Sequence, residues 1–241
     1  MKWEIKAVGL DLGNTLMTYD GVPLSWEAGY PAAMAAVAAR LGVTLGGEAM
    51  ERVCSALRAY NTRIHPREAE VTARHIFADV LAAMGMGGEG AVDAAVDAFF
   101  GCFRQCYAVS EDALPFLRGA HSAGLPAGIL TDVPYGMPVH LVQQDVQPFE
   151  ALVSCVLSSV QVGWRKPRPE GFLALAAALG VPPQSMVFIG DEAKDVHGAQ
   201  AAGMFAILLD RADHAPACGE DARVGSLLEA GELLGLPDAI V

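Results

Sequence analysis

Lysine is almost missing from this chain of 241 residues: Lys2, Lys6, Lys166 and Lys194 are all that it has. Acidic residues outnumber Lys and Arg by 28 to 16, a formal charge of −12. A surface of that sign repels a phosphate backbone or an anionic bilayer over most of its extent, so neither nucleic acid nor a membrane is an expected partner. Only 18% of residues are charged and 53% are hydrophobic, a balance that excludes a disordered chain. No apolar run approaches the roughly twenty residues that a membrane-crossing helix needs. The opening Met1-Lys2-Trp3-Glu4-Ile5-Lys6 leads straight into an apolar segment without a signal-type hydrophobic region, so the expected compartment is the cytoplasm. Five scattered cysteines, an odd number, exclude a disulfide framework and read as small buried hydrophobes. Cys102 and Cys106 stand one helical turn apart, but no nearby His or Cys completes a tetrahedral metal set.

What is present is enough chain for a sizeable core, with room for a smaller domain inside a larger one. Short apolar runs recur at Ala7 to Leu10, Pro126 to Leu130, Ala151 to Leu157, Met186 to Ile189 and Phe205 to Leu209. Their length, and the helical patterns between them, predict strands buried on both faces of a parallel α/β sheet. Residues 20–108 differ in character. Apolar residues there fall at helical spacing in Ala32 to Leu41, Ala49 to Tyr60, Val71 to Met84 and Ala91 to Tyr107, with glycines at 42, 46–47, 85 and 87–88 as breaks. An insertion that long is no ordinary loop, so 20–108 is expected to be a separate helical domain, with 1–19 and 109–241 forming the α/β core. Ser110 reads as the cap of the helix that reopens the core, and a last helix is expected near Ser226 to Leu234.

Asp11, Thr131 and Asp191 each follow the end of an apolar run, where open parallel sheets place ligands. Around them lie Asp11-Leu12-Gly13-Asn14-Thr15-Leu16, Thr131-Asp132, Lys166-Pro167 and Gly190-Asp191-Glu192-Ala193-Lys194-Asp195. Singly these have bland readings: Asp after a strand caps turns, and acids favour helix N-termini. Together, a carboxylate nucleophile, a hydroxyl, a lysine and a carboxylate pair suit magnesium-dependent phosphoryl transfer.

The ordered set resembles the four-part active site of haloacid dehalogenase-like hydrolases, in the subclass with a helical cap between the first two core strands. The resemblance covers the whole chain. It implies a Rossmann-like doubly wound parallel sheet with an inserted α-helical cap domain, and a Mg²⁺-dependent phosphatase acting on a small phosphorylated metabolite, as a monomer or homodimer. By the same resemblance Asp11 attacks, Thr131 and Lys166 hold the phosphate, and Asp195 orients a metal-bound water or Lys166. Asp191, Asp11 and the Gly13 carbonyl would hold Mg²⁺. Asn14 belongs to a turn whose backbone N–H groups can face a phosphate, and Asp132 stands where the family usually has Asn, turned outward or toward the metal or a lysine.

Gly13 is the departure. Most phosphatases of this family carry there a second Asp that serves as general acid and base, work that contributes about 10²–10⁴-fold in rate. The Asp-Leu-Gly-Asn form resembles a bacterial subgroup that includes sugar-1-phosphate phosphatases, and a good leaving group needs less protonation. Three other chemistries fit less well. Phosphonate cleavage in the family uses a cap lysine, and 20–108 contains none. A 2-haloacid dehalogenase lacks the first Asp of the last motif, which here is Asp191. A catalytically reduced binding protein is favoured by Gly13 and Asp132 and opposed by Asp11, Lys166, Asp191 and Asp195. Candidate cap contacts are Tyr19, Trp26, Tyr60, Arg63, His65 and Arg67.

Overall fold

The computed structural model describes residues 4–18, 25–103 and 107–237. Its contacts divide the chain into two units: Met1–Thr18, Ala108–Asp132 and Val139–Val241 form one, Tyr19–Tyr107 and Val133–Pro138 the other. In chain order the first elements are β1 (Ala7–Leu10), β2 (Met17–Thr18), α1 (Tyr30–Arg40), α2 (Gly47–Ala59), α3 (Ala73–Ala83) and α4 (Glu89–Phe103). There follow β3 (Ala108–Val109), α5 (Ala113–Ser122), β4 (Ala127–Thr131), α6 (Val139–Asp145), β5 (Cys155–Ser158) and α7 (Ser159–Val162). The chain continues through α8 (Pro169–Leu179), β6 (Met186–Gly190), α9 (Ala193–Ala201), β7 (Phe205–Leu209), β8 (Ala222–Val224) and α10 (Leu227–Leu234).

The first unit is built on a six-stranded sheet in the order β5-β4-β1-β6-β7-β8, every pair parallel. Strands β1, β4 and β6 are buried along their whole length because both faces are covered, and apart from Thr131 at the end of β4 they are made of apolar residues and glycine. Helices α8 and α9 cover one face, burying Phe172, Leu175, Val196 and Ala199 against Leu130, Phe188 and Leu208, while α5 and α10 pack on each other and reach β4 and β8. The sheet is the expected doubly wound α/β architecture. Val8 stands opposite both Ala127 and Val187, and Leu10 opposite both Ile129 and Ile189, so the residues that follow these strands emerge at one level at the carboxyl edge.

Local chemistry explains where the structure departs from the sequence expectation. Strand β5 begins at Cys155, not Ala151, because the N–H groups of Leu152 and Val153 turn back to the Phe149 carbonyl. Ser110 does not cap α5. The helix begins after Asp112, the Ser110 hydroxyl is buried without a partner, and the backbone of Ser110 is bonded to Leu16 and Ala113. Strands β2, β3 and β8 were not expected; at two or three residues they are too short for period-two alternation to show. Helix α10 starts after Ser226, whose hydroxyl accepts the Glu229 N–H at 3.1 Å. Among the described residues no helix is long and apolar enough to cross a membrane.

Gly198 lets α9 lie against the loop that carries Lys166. A Cβ there would stand 2.2 Å from the Phe172 ring and 2.9 Å from the Pro167 carbonyl. Gly198→Ala is therefore expected to cost about 1–3 kcal/mol by overpacking. Urea unfolding checks this; a change below a few tenths of a kcal/mol would mean that ring and loop give way freely.

The second unit is helical. In α3 the buried residues Ala73, Ile76, Phe77, Val80 and Leu81, and in α4 Val92, Ala95, Val96, Phe99 and Phe100, follow the i, i+3, i+4, i+7 spacing of one apolar face. The Trp26 ring lies between Phe103, with centroids 4.3 Å apart, and Tyr135, at 5.6 Å. Tyr135 comes from Val133–Pro138, a segment that the sequence reading leaves in the core; its hydroxyl meets that of Tyr30, which also accepts from Asn61 at 3.0 Å. Gly136 makes the approach possible, with positive φ and no room for a Cβ, which would fall 2.1 Å from the Val71 carbonyl. Cys54 is buried, but Cys102 is exposed and Cys155 and Cys218 are half-buried, against the expectation for cysteines here. Cys106 and Tyr19 lie outside the described residues.

Candidate active site

Strand ends bring the chemical residues together. Asp11 is the first residue past β1, its N–H held by the Ile189 carbonyl at 2.9 Å, and Asp191 is the first past β6. Thr131 ends β4 and is buried. Lys166 comes from the loop before α8 and is also buried, its peptide bond to Pro167 cis. Its ammonium donates to Asp11 Oδ1 at 2.5 Å and to Asp195 Oδ1 at 2.6 Å, and it sits 5.2 Å from the centroid of the Phe188 ring.

The second oxygen of Asp195 accepts the Glu192 N–H at 3.0 Å, closing a capping box at the start of α9. Both Asp195 oxygens are thus engaged, one by the lysine and one by the helix terminus. Gly190 is required beside it, since a Cβ there would lie 2.4 Å from the Asp195 carboxyl carbon.

Oxygens of Asp11, Asp191 and Asp195 all lie within 4.8 Å of one another. Lys166 is bonded to two members of this set, and its single charge does not balance three carboxylates. Burial pushes the Asp11 carboxyl up to about 6; the nearby lysine pulls against that shift and Asp195 adds to it. Asp191 is pushed up to about 7, by burial and then by repulsion from Asp11, Asp195 and Glu192. Burial works against the charge on Lys166, but Asp11, Asp195 and Asp132 outweigh it and hold the ammonium above the ordinary lysine range. An all-oxygen and net-negative set of this kind, buried at Asp11 and Asp195 and half-buried at Asp191, suits a hard divalent cation.

Asn14 and Asp132 have positions that spacing alone does not give. Asn14 adopts a positive φ of 55°, and its side-chain amide donates to Asp191 Oδ2 at 3.2 Å. Its backbone N–H is taken by the Met17 carbonyl at 2.7 Å, so that N–H is not offered to a phosphate. Asp132 turns toward cations: it accepts the Lys166 N–H at 3.1 Å and lies 3.7 Å from Arg165 and 3.6 Å from Lys194. Lys194 also pairs with Glu192 at 2.6 Å. Gly13 makes an isolated bridge to Met17, closing the turn after Asp11. The sequence reading missed one residue close to this turn, Arg211, which donates to the carbonyls of Asn14 and Thr15. No spacing signal marks it.

In the helical unit, Tyr60 donates to Asp79, and Arg67 donates to the Tyr60 carbonyl at 2.7 Å and to Glu70 at 3.0 Å.

A family model described as haloacid dehalogenase-like hydrolase matches residues 5–203. Among curated proteins, a phosphatase of Mycobacterium tuberculosis is 39% identical over 124 residues, 52% of this chain and 55% of its own length. A glyceraldehyde 3-phosphate phosphatase of Methanopyrus kandleri is 30% identical over 213 residues, 86% of this chain and 84% of that protein. A phosphoserine phosphatase of Thermus thermophilus is 36% identical over 165 residues, 64% of this chain and 61% of that one. The match thus spans less than two thirds of the first and third of these relatives. Of solved structures, a phosphatase from Thermococcus onnurineus has a TM-score of 0.64 at 23% identity, covering 98% of this chain and 100% of that one. A 2-haloacid dehalogenase from Pseudomonas syringae has a TM-score of 0.67 at 22% identity, covering 96% and 98%. At those identities the likeness is one of fold.

Proposed function

This chain belongs to the haloacid dehalogenase-like hydrolases, and from that membership and the site we propose that it is a Mg²⁺-dependent phosphatase of small phosphorylated metabolites. The observation that carries the reading is the convergence of Asp11, Asp191 and Asp195 within 4.8 Å, with Lys166 bonded to two of them. The donor set fits Mg²⁺: Asp11, Asp191 and the Gly13 carbonyl would hold it, and when bound it neutralises phosphate charge. Asp195, with both oxygens occupied, acts by fixing Lys166.

An Asp11 oxygen attacks phosphorus, the bond from phosphorus to the ester oxygen breaks, and an aspartyl phosphate forms. Water then attacks that phosphorus, releasing phosphate and restoring Asp11. The Thr131 hydroxyl and Lys166 hold the phosphoryl oxygens, and Asp132 positions the Lys166 backbone. Asn14 orients Asp191. Because residue 13 has no side chain, the leaving oxygen takes its proton from water. Residues 20–108 serve as the cap that selects the metabolite, and the cytoplasm is the proposed compartment.

Phosphate release from a panel of sugar-1-, acyl and alkyl phosphates, with Mg²⁺ or with chelator, tests the reading. Turnover is expected only with metal, and rates are expected to rise steeply with leaving-group acidity, with alkyl esters slower by about 10²-fold, the lower end of what a general acid contributes. Equal rates across the panel would mean that another group supplies the proton. Haloacid turnover without phosphate release would overturn the phosphatase.

A further inference from the structure

We propose that Arg211, beyond the stretch that the family model matches, is a positioning residue that locks the turn after the nucleophile. The proposal rests on reading Asp11 as that nucleophile. Arg211 leaves the end of β7, from a turn held by Asp210, whose carboxylate accepts the N–H groups of His214 and Ala215 at 3.1 Å each. Its guanidinium forks. Nε and Nη2 donate to the carbonyls of Asn14 at 3.3 Å and Thr15 at 2.9 Å, while Nη1 and Nη2 grip Asp112 at 2.8 and 2.9 Å. Asp112 is in turn fixed by the Leu227 N–H at 2.8 Å, at the start of α10. A bidentate carboxylate holds the guanidinium plane, so both carbonyls meet a rigid donor.

A trans peptide points its C=O and its N–H to opposite sides. The peptide between Thr15 and Leu16 is therefore pinned at both ends, its oxygen by Arg211 and its N–H by the Leu12 carbonyl at 2.9 Å. The peptide between Asn14 and Thr15 is held at its oxygen, beside an Asn14 whose backbone is left-handed and whose side chain orients Asp191. Losing Arg211 releases the oxygens of both peptides and leaves the second held only through its N–H, which lets Asn14 shift relative to Asp191 and loosens the turn after Asp11. Arg223 is the natural control. It ties the same tail to Asp210 at 2.9 Å and to the Ala215 carbonyl at 2.7 Å, and neither of these partners belongs to the turn after Asp11.

The test compares wild type, Arg211→Ala, Arg211→Lys and Arg223→Ala on the fastest ester of the panel, with hydrogen exchange read in parallel. Arg211→Ala is expected to lose about 10–100-fold in kcat with KM nearly unchanged, the penalty of sub-ångström misplacement. Methylguanidinium should return part of the loss, Arg211→Lys should fall between, and Arg223→Ala should keep wild-type turnover. Exchange at the Leu16 and Met17 amides should quicken in Arg211→Ala but not in Arg223→Ala. An equal loss in both alanine variants, no return with methylguanidinium, or full activity in Arg211→Ala would overturn the proposal. If Arg211→Ala does not fold, wild-type turnover by Arg211→Lys overturns it. If the wild type releases no phosphate, the phosphatase reading fails by itself, and exchange at Leu16 and Met17 still decides this one.

Discussion

Asp11→Asn is expected to lower phosphate release by more than about 10³-fold while leaving the protein folded. The amide is isosteric but has no charge to offer as a nucleophile. The fold should tolerate it because Asp11 is one of three carboxylates crowded around one lysine. Removing one of them relieves repulsion on Asp191, and Lys166 keeps Asp195 as its partner. The melting temperature of the metal-free variant should be equal to or above that of the wild type. Phosphate release beside calorimetry checks both parts. A variant that keeps a tenth of the wild-type rate would show that another group attacks, and a sharp fall in melting temperature would show that Asp11 supports the fold.

Lys166→Met is expected to lower both stability and rate, with the larger stability cost of the two substitutions. Its side chain is buried, as are those of its partners Asp11 and Asp195. Taking away the cation of a buried pair leaves uncompensated charge, typically a cost of about 3–5 kcal/mol. Methionine keeps the apolar stem beside Phe188, so the loss reports on charge more than on packing. Excess Mg²⁺ should recover part of the stability by supplying the missing positive charge, and should not recover turnover. Urea unfolding with chelator or with Mg²⁺ separates the two. A cost below about 1 kcal/mol would mean that the carboxylates take up protons without penalty once the lysine is gone.

Much of the architecture was legible because its signals are local. Ala7 to Leu10 lies between Lys6 and Asp11, and Phe205 to Leu209 runs into Asp210, and the structure keeps those limits. Spacing along α3 and α4 carried the helical pattern of the insertion. What was illegible depends on pairing at a distance. Arg211 is an ordinary surface arginine until the fold brings it to Asn14, 197 positions away. Val133–Pro138 comes just after a core strand, and it is the packing of Tyr135 on Trp26 and Tyr30 and of Gly136 against Val71 that ties it to the helical unit. Gly13 read the same way before and after the structure, because a missing side chain is visible in sequence and its chemical replacement is not. The membership of the family is carried by motifs, whereas the identity of the metabolite depends on contacts that no short pattern encodes.

The pairing of β1 also has a kinetic side. This four-residue strand lies at the centre of the sheet, yet its partners are β4 and β6, with Val8 opposite Ala127 and Val187. The lysine bonded to Asp11 is 155 positions away. Loop closure over such separations is slow compared with the formation of helices α1 to α4, each of which is made of near-neighbour contacts. Helical signal should therefore return early in refolding, and the site should be among the last features assembled. On a growing chain Asp11 precedes Lys166 by 155 positions, so the ion pair at the centre of the site forms only after the intervening strands and helices have been made.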